Sequence, residues 1–225
     1  MVKNILNLGD AAIYYDFGDQ INIETNRKVI NYFNSLKNLN LEEITNITPS
    51  YNKLIISFNL KITSFLDLKE KIQNIKISTE NEKSFKKIKL PICCEDDFFL
   101  DKERLTNKLN LSPEEILKKF LNQEYFCYMT GFIAGMPFMG NIDKDLRIER
   151  LKTPRVKVPK GSVGITEQFT NIYTFESPGG WNIIGNTPQR IFDPGNKDKP
   201  ILINPGDEVS FFQISKNEYE KLNEK

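Results

Sequence analysis

Ser177-Pro178-Gly179-Gly180-Trp181 sets a proline, two glycines and the only tryptophan of the chain side by side. Proline presets the first central dihedral of a turn, Gly179 reads as the positive-φ residue of a type II turn, and Gly180 as a place where another group can approach the backbone. Similar punctuation returns at Pro194-Gly195 and Pro205-Gly206. Residues 131 to 206 hold ten of the 12 glycines and eight of the 11 prolines, so the chain has two architectures. Short apolar runs between these turns, such as Ser162 to Ile165, Trp181 to Ile184 and Glu208 to Ile214, predict a closed or nearly closed barrel, which removes exposed strand edges.

Upstream the pattern alternates between strand and helix. Ile5 to Leu8 and Ala12 to Phe17 read as strands, followed by a helix with Val29, Ile30, Phe33 and Leu36 on one face. Ile44 to Thr48 and Leu54 to Phe58 flank the turn Pro49-Ser50-Tyr51-Asn52, and a helix capped by Ser64 buries Phe65, Leu68, Ile72 and Ile75. A last strand near Ile88 to Ile92 completes the order strand, strand, helix, strand, strand, helix, strand, which suits a small ferredoxin-like domain over residues 1–88. The boundary is expected within Ser78 to Lys89, with the barrel domain over residues 89–225. The fold class is therefore α+β. In between, a helix is expected from Asp101 to Leu109 and another from Pro113 to Leu121. The second has a complete start signal: Ser112 caps, Pro113 takes the first helical position, and Glu115 closes a capping box.

The composition excludes several kinds of chemistry. The 225 residues contain no histidine, which removes Ser-His-Asp and Cys-His catalysis and His-ligated zinc, and leaves proton transfer to Asp, Glu, Lys, Tyr or Cys. Three cysteines are too few for an all-cysteine zinc site, so no metal site is expected; Cys127, within an apolar stretch, reads as a buried small hydrophobe. A formal net charge of +1 argues against a nucleic-acid or anionic-membrane surface, and Phe132 to Met139, the longest nearly apolar run, is far short of a membrane span. The N-terminus lacks a secretory signal pattern, which makes a cytoplasmic location the expectation.

Arginine is scarce, six against 25 lysines, yet Arg147, Arg150, Arg155 and Arg190 all fall in the Gly/Pro-rich half. A guanidinium fork suits carboxylate or phosphate, and Arg150 and Arg155, near Pro154 and Pro159, are the best candidates for an anion clamp; the alternative is that they pair with acids on the barrel surface. Val158-Pro159-Lys160-Gly161-Ser162-Val163 is not a Walker A motif, since lysine precedes glycine and the upstream glycine is missing. Asp143, Asp145, Glu167, Glu176 and Asp193 read mostly as solvated acids. Catalytic residues are not identified from these patterns.

The ordered run Gly131-Phe132-Ile133-Ala134-Gly135, Thr153-Pro154-Arg155, Val158 to Val163, Ile172-Tyr173, Ser177 to Trp181, Ile184-Gly185-Asn186-Thr187-Pro188, Phe192-Asp193-Pro194 and Pro205-Gly206-Asp207 resembles the KipI family. That family is also known as the B subunits of 5-oxoprolinase or the first subunits of allophanate hydrolase, and is related to half of the carboxyltransferase domain of urea amidolyase. The resemblance implies a C-terminal cyclophilin-like barrel and a larger paralogous partner, KipA or the C subunit of 5-oxoprolinase. With a third subunit, such proteins cleave 5-oxoproline to glutamate using ATP, bound at this chain, at the partner or at the interface. It also implies that Arg150, Arg155, Ser162, Tyr173, Gly179, Gly180, Trp181 and Thr187 stand at family positions where a substrate or anion site should be sought. Other readings are a KipI-like inhibitor docking on a sensor histidine kinase and an allophanate- or urea-linked amide hydrolase subunit. The sequence departs from the family at Phe120, where histidine is common, at Phe169 in place of glutamine, and at Ala134 and Glu149 in place of prolines.

Overall fold

Two patterns of burial distinguish the halves of the chain in the computed structural model, which describes residues 2–77 and 85–223 and divides into the units Met1–Ser84 and Phe85–Lys225. In the first unit, β1 (Asn4–Leu8) and β2 (Ala12–Asp16) form a hairpin, α1 (Ile23–Leu39) follows, β3 (Ile44–Pro49) and β4 (Lys53–Phe58) form a second hairpin, and α2 (Phe65–Gln73) ends the order. The strands make one antiparallel sheet, β1-β2-β4-β3. Burial alternates along β2 and β4, so Ile13, Tyr15, Leu54, Ile56 and Phe58 share a face and pack with Val29, Leu36, Leu68 and Ile72 from the helices. Asn22 accepts from the Thr25 N–H at 2.8 Å to cap α1, and Ser64 accepts from the Asp67 N–H at 3.2 Å to cap α2. Fully buried Asn26 donates to the carbonyls of Ser50 and Tyr51 at 3.1 and 2.7 Å, fastening the β3–β4 turn to α1.

The strand expected at Ile88 to Ile92 does not join that sheet. It is β5 (Lys87–Cys93), the first strand of the second unit, and the division falls at Ser84 and Phe85, four residues ahead of the expected cut at 88. Most of the segment Ser78 to Lys89 expected to hold the boundary, residues 78–84, lies outside the described residues. The physical sign is continuous burial: Leu90, Pro91, Ile92 and Cys93 are all buried, a run that needs cover on both faces, whereas β2 and β4 of the first unit alternate. The ferredoxin-like order thus loses its last strand to the barrel.

After β5 come α3 (Lys102–Leu109), α4 (Pro113–Leu121), β6 (Tyr125–Thr130), β7 (Pro137–Gly140), β8 (Arg155–Val158), β9 (Ser162–Thr166), β10 (Phe169–Ile172), β11 (Ser177–Gly179), β12 (Asn182–Asn186), β13 (Glu208–Ile214) and α5 (Lys216–Asn223). Among the described residues, seven strands close in the order β10-β7-β6-β13-β5-β12-β9, and β8 pairs with β11 in a separate ribbon. The chain is α+β with a closed barrel. Parallel pairing of β5 with β13, from Lys87 opposite Glu208 to Cys93 opposite Ile214, supplies the long-range seam. Phe120, Tyr125, Val163, Ile165, Ile184, Val209 and Phe211 fill the interior with Leu90 and Ile92. The capping box of α4 forms as read, the Glu115 N–H donating to Ser112 Oγ at 3.2 Å and the Ser112 N–H to Glu115 Oε2 at 2.8 Å.

Where β12 meets β5, at Asn186 opposite Cys93, the ladder to β9 shifts register between Ile183 and Gly185. A Cβ on Gly185 would lie 2.7 Å from the Cys93 carbonyl oxygen and 2.8 Å from Ile92, so the seam closes only with glycine there. Gly185→Ala should destabilise the barrel by about 1–3 kcal/mol, read by denaturant unfolding followed through Trp181 fluorescence, since the only tryptophan lies in this unit. An unchanged midpoint would show that the seam yields.

Candidate functional site

The residues singled out by sequence fall into two neighbourhoods of the barrel unit. The first surrounds the β8–β11 ribbon. Tyr173, 1 % exposed just beyond β10, sets its ring on Gly179, where a Cβ would collide with the phenol oxygen. Gly179 is therefore required for close approach and does not have the positive φ expected of a type II turn; it lies in β11, paired with Arg155. Gly180 has the looser role, with a Cβ only reaching ordinary contact with Pro154 at 3.6 Å, while its carbonyl accepts from the Leu151 N–H at 2.8 Å. Trp181 is buried edge-to-face against Phe138 at 5.7 Å, and the Arg150 guanidinium lies 5.8 Å from its ring centre. Burial pushes the Tyr173 phenol above its ordinary pKa, offset in part by Asn171, the Trp181 backbone and the two arginines. The Asn171 amide stands beside that hydroxyl, wholly buried and with neither polar atom in hydrogen-bonding geometry.

Arg155 has one arm of its fork engaged within the protein, while its Nη1 is buried without a hydrogen-bond partner. Its Nη2 donates to Asp101 Oδ1 at 2.7 Å, and Asp101, 5 % exposed, accepts from the Ile183 N–H through Oδ2 at 2.6 Å. The Asp101 N–H in turn donates to the Ile183 carbonyl at 3.1 Å. One aspartate at the head of α3 thus holds both backbone groups of Ile183 and the β8 arginine. That work also explains why Asp101, standing in the N-cap position, makes no capping bond. Arg104 continues the network, donating to Asn182 Oδ1 at 2.8 Å and to the Glu149 carboxylate at 3.1 Å. Of the two arginines expected to form a clamp, only Arg150 is without a carboxylate partner among the described residues.

The second neighbourhood is a cleft of about 730 Å³ between the barrel end and α5. Lys160, Gly161, Tyr173, Thr187, Gln189 and Arg190 line it from the barrel loops, and Tyr219 and Asn223 from α5. Its floor is fixed: Asn186 donates to the Lys160 carbonyl at 2.9 Å and accepts from the Tyr219 hydroxyl at 2.9 Å, and Gly161, at φ +82°, packs so tightly that a Cβ would collide with the Asn186 amide oxygen and the Thr187 carbonyl. Buried Ser162 stands behind this floor, its Oγ 3.5 Å from the Asn186 amide. Among the described residues no Asp or Glu lines the cleft. Lys160 has no ion pair among them, and exposed Arg190 has only Asp193 at 3.6 Å, a surface pair that holds it weakly. The Thr187 hydroxyl oxygen accepts from the Gln189 N–H at 3.2 Å, leaving its proton to donate. The motif containing Lys160 fails as a phosphate loop, and the grouping of Lys160 with Arg190 is visible only in the fold.

Backbone amides near Lys160 are already committed. The Gly161 N–H donates to Tyr173, the Ser162 N–H to Pro159 and the Thr187 N–H to Gly161. These N–H groups do not form an open nest for an anion. Among the described residues no cluster of Cys, Asp and Glu is arranged to hold a metal ion. Cys93, Cys94 and Cys127 are buried and unpaired. Burial raises all three thiols, Cys94 to about 12. Phe120 is a core ring 5.0 Å from Tyr125 and 5.2 Å from Phe211. Phe169 packs edge-on to Tyr128 at 6.1 Å, beside Gly140.

A closed barrel with a cationic cleft at one end, in a chain that also holds a four-stranded sheet, places this protein among barrel-bearing α+β proteins. The model of the carboxyltransferase domain, subdomain C and D, matches residues 3–203. The chain is 31% identical to the B subunit of 5-oxoprolinase from Bacillus subtilis, over 98% of this chain and 96% of that one. It is 30% identical to the Haemophilus influenzae protein of the same name, over 92% and 96%. The chain belongs to the carboxyltransferase-domain family, subdomains C and D, which includes the B subunits of 5-oxoprolinase. The solved structure of TTHA0988 superposes with a TM-score of 0.81 at 25% identity; it covers 91% of this chain, which spans 40% of that longer one. No described helix is long and apolar enough to cross a membrane.

Two outcomes test the site's construction. Arg155→Ala should lower barrel stability by about 1–3 kcal/mol by leaving the Asp101 carboxylate buried without that hydrogen-bond donor, and Asp101→Asn in the same chain should restore part of it; an Arg155→Ala barrel as stable as the parent would free the arginine for a ligand. At pH 8 the folded protein should leave a thiol reagent unconsumed, with all three cysteines reacting once denatured.

Proposed function

We propose that this chain is the B subunit of an ATP-dependent 5-oxoprolinase, inactive alone and acting with the larger barrel-bearing partner and a third subunit. The observation that carries the reading is end-to-end similarity to proteins named as the B subunits of 5-oxoprolinase. The cleft supports it chemically. 5-Oxoproline is a small lactam with a carboxylate, and Lys160 and Arg190 offer that carboxylate two cations in a space without competing acids among the described residues. The Thr187 hydroxyl and the Gln189 and Asn223 amides supply neutral donors and acceptors suited to a lactam N–H and C=O. Holding and orienting the substrate is this chain's share of the reaction. The committed amides around Lys160 do not fit a triphosphate, and we assign nucleotide binding to a partner subunit.

The test measures 5-oxoproline-dependent ATP hydrolysis by the complex recovered with the tagged chain and by the chain alone. Activity should appear only in the complex, and Arg190→Glu should raise KM for 5-oxoproline at least tenfold with a smaller change in kcat, as loss of uniform substrate binding requires. ATP hydrolysis by the intact complex without dependence on 5-oxoproline would remove the substrate assignment. An unchanged KM would remove the cleft.

A further inference from the structure

Phe132 combines two costs that a folded chain ordinarily avoids. It is 70% exposed, and its φ is +67°, in the left-handed region where a bulky residue is an outlier and glycine or asparagine would be at ease. The loop that holds it is built firmly. The Gly131 N–H donates to Met136 at 3.0 Å, the Ile133 N–H to Gly131 at 2.8 Å, and the Met136 N–H to Ile133 at 3.2 Å. Thr174 Oγ1 donates to the Ala134 carbonyl at 2.7 Å. Gly135, at φ +69°, lies so close to Phe192 that a Cβ would be 2.7 Å from its ring, and Phe192 stacks edge-on with exposed Phe175 at 5.7 Å. Phe132, Phe175 and Phe192 are thus carried by segments hydrogen-bonded or packed on one another. A rigid exposed aromatic group of this kind has the chemistry of an interface anchor.

Its position identifies what it serves. Thr174 and Ile191, chain neighbours of Phe175 and Phe192, line the cationic cleft together with Arg190. A body seated on the aromatic group would therefore border the cleft and exclude water from it. In the solved TTHA0988 chain the counterpart of this protein makes up only 40% of the length, so there the same fold is joined covalently to a large further body; in the 5-oxoprolinase relatives it is a separate chain. We infer that the Phe132–Phe175–Phe192 platform is the docking surface for the larger partner subunit, which seats an apolar patch on it and walls the cleft while leaving Lys160 and Arg190 to the substrate carboxylate. The inference rests on the 5-oxoprolinase reading for the partner's identity.

Phe132→Gly separates docking from folding, because glycine relieves the left-handed backbone while deleting the anchor. The full chain, as parent, Phe132→Gly and Phe175→Ser, is titrated with the purified larger subunit by calorimetry, alongside thermal unfolding, sedimentation of each chain alone and activity of each reconstituted complex. Phe132→Gly should unfold at the same or a higher temperature than the parent yet bind the larger subunit at least tenfold more weakly, with activity returning at saturating partner. Phe175→Ser should weaken binding in the same sense. Parent-like affinity of both variants overturns the platform and leaves the functional reading intact. Self-association of the parent that Phe132→Gly abolishes assigns the surface to a second copy and also overturns it. A tight parent complex without 5-oxoproline-dependent activity defeats the functional reading, while the affinities still decide the platform.

Discussion

Closure of the barrel depends on one seam, the parallel pairing of β5 with β13, which joins residues about 120 positions apart along the chain. Asp207 secures its entrance. Buried at 5 % exposure, this carboxylate accepts from the Lys86 N–H at 3.0 Å and from the Asn204 N–H at 2.8 Å, and its carbonyl accepts from the Cys127 N–H at 2.8 Å. A buried carboxylate is tolerated where N–H groups replace its water, and here those donors are the backbone ends of strands that must meet. With the seam closed, β12 can pass along β5 at Gly185, and the loops after β8, β10 and β12 are brought to one end of the barrel. The cleft is a consequence of that convergence.

A second carboxylate organises the neighbourhood of the ribbon. Asp101 bonds both backbone groups of Ile183 and the Arg155 guanidinium, so the helix head, the barrel strand and the β8–β11 ribbon share one anchor. Removing either charge leaves the other in a poorly solvated place, which makes the pair a structural device. The cleft is arranged differently: Lys160 and Arg190 face it without a buried counter-ion, the condition in which cations remain available to an anionic ligand. Polar groups that finish the fold and polar groups left for a ligand differ in this protein by whether their partner is already present.

Local signals were legible wherever the cause is local. The caps at Ser64 and Ser112, the helices α1 to α4 and the strands between Pro-Gly turns follow from hydrogen bonds and periodicity within a few residues, whereas α5 was not read from the sequence. Gly179 and Gly180 were legible as special, but neither has a positive φ and the close approach falls on Gly179, because the fold sets the Tyr173 hydroxyl against it. Arg155 was legible as a residue seeking an anion, but its Asp101 partner, 54 residues upstream, was not. Lys160 and Arg190 stand in the sequence without any pattern to join them. The resemblance to the KipI family carried the family assignment, which the match over residues 3–203 shows.

Composition, turn chemistry and motif order are properties of neighbouring residues, and they were enough for the α+β class, the barrel in the glycine- and proline-rich half, the absence of histidine chemistry and the family. Three facts had to wait for the folded chain: β5 belongs to the barrel, Arg155 pairs with Asp101, and Lys160, Thr187 and Arg190 share a cleft. Each of them depends on which distant groups the closed seam brings within a few ångströms, and that distance is set by the register of strands, not by their spacing along the chain.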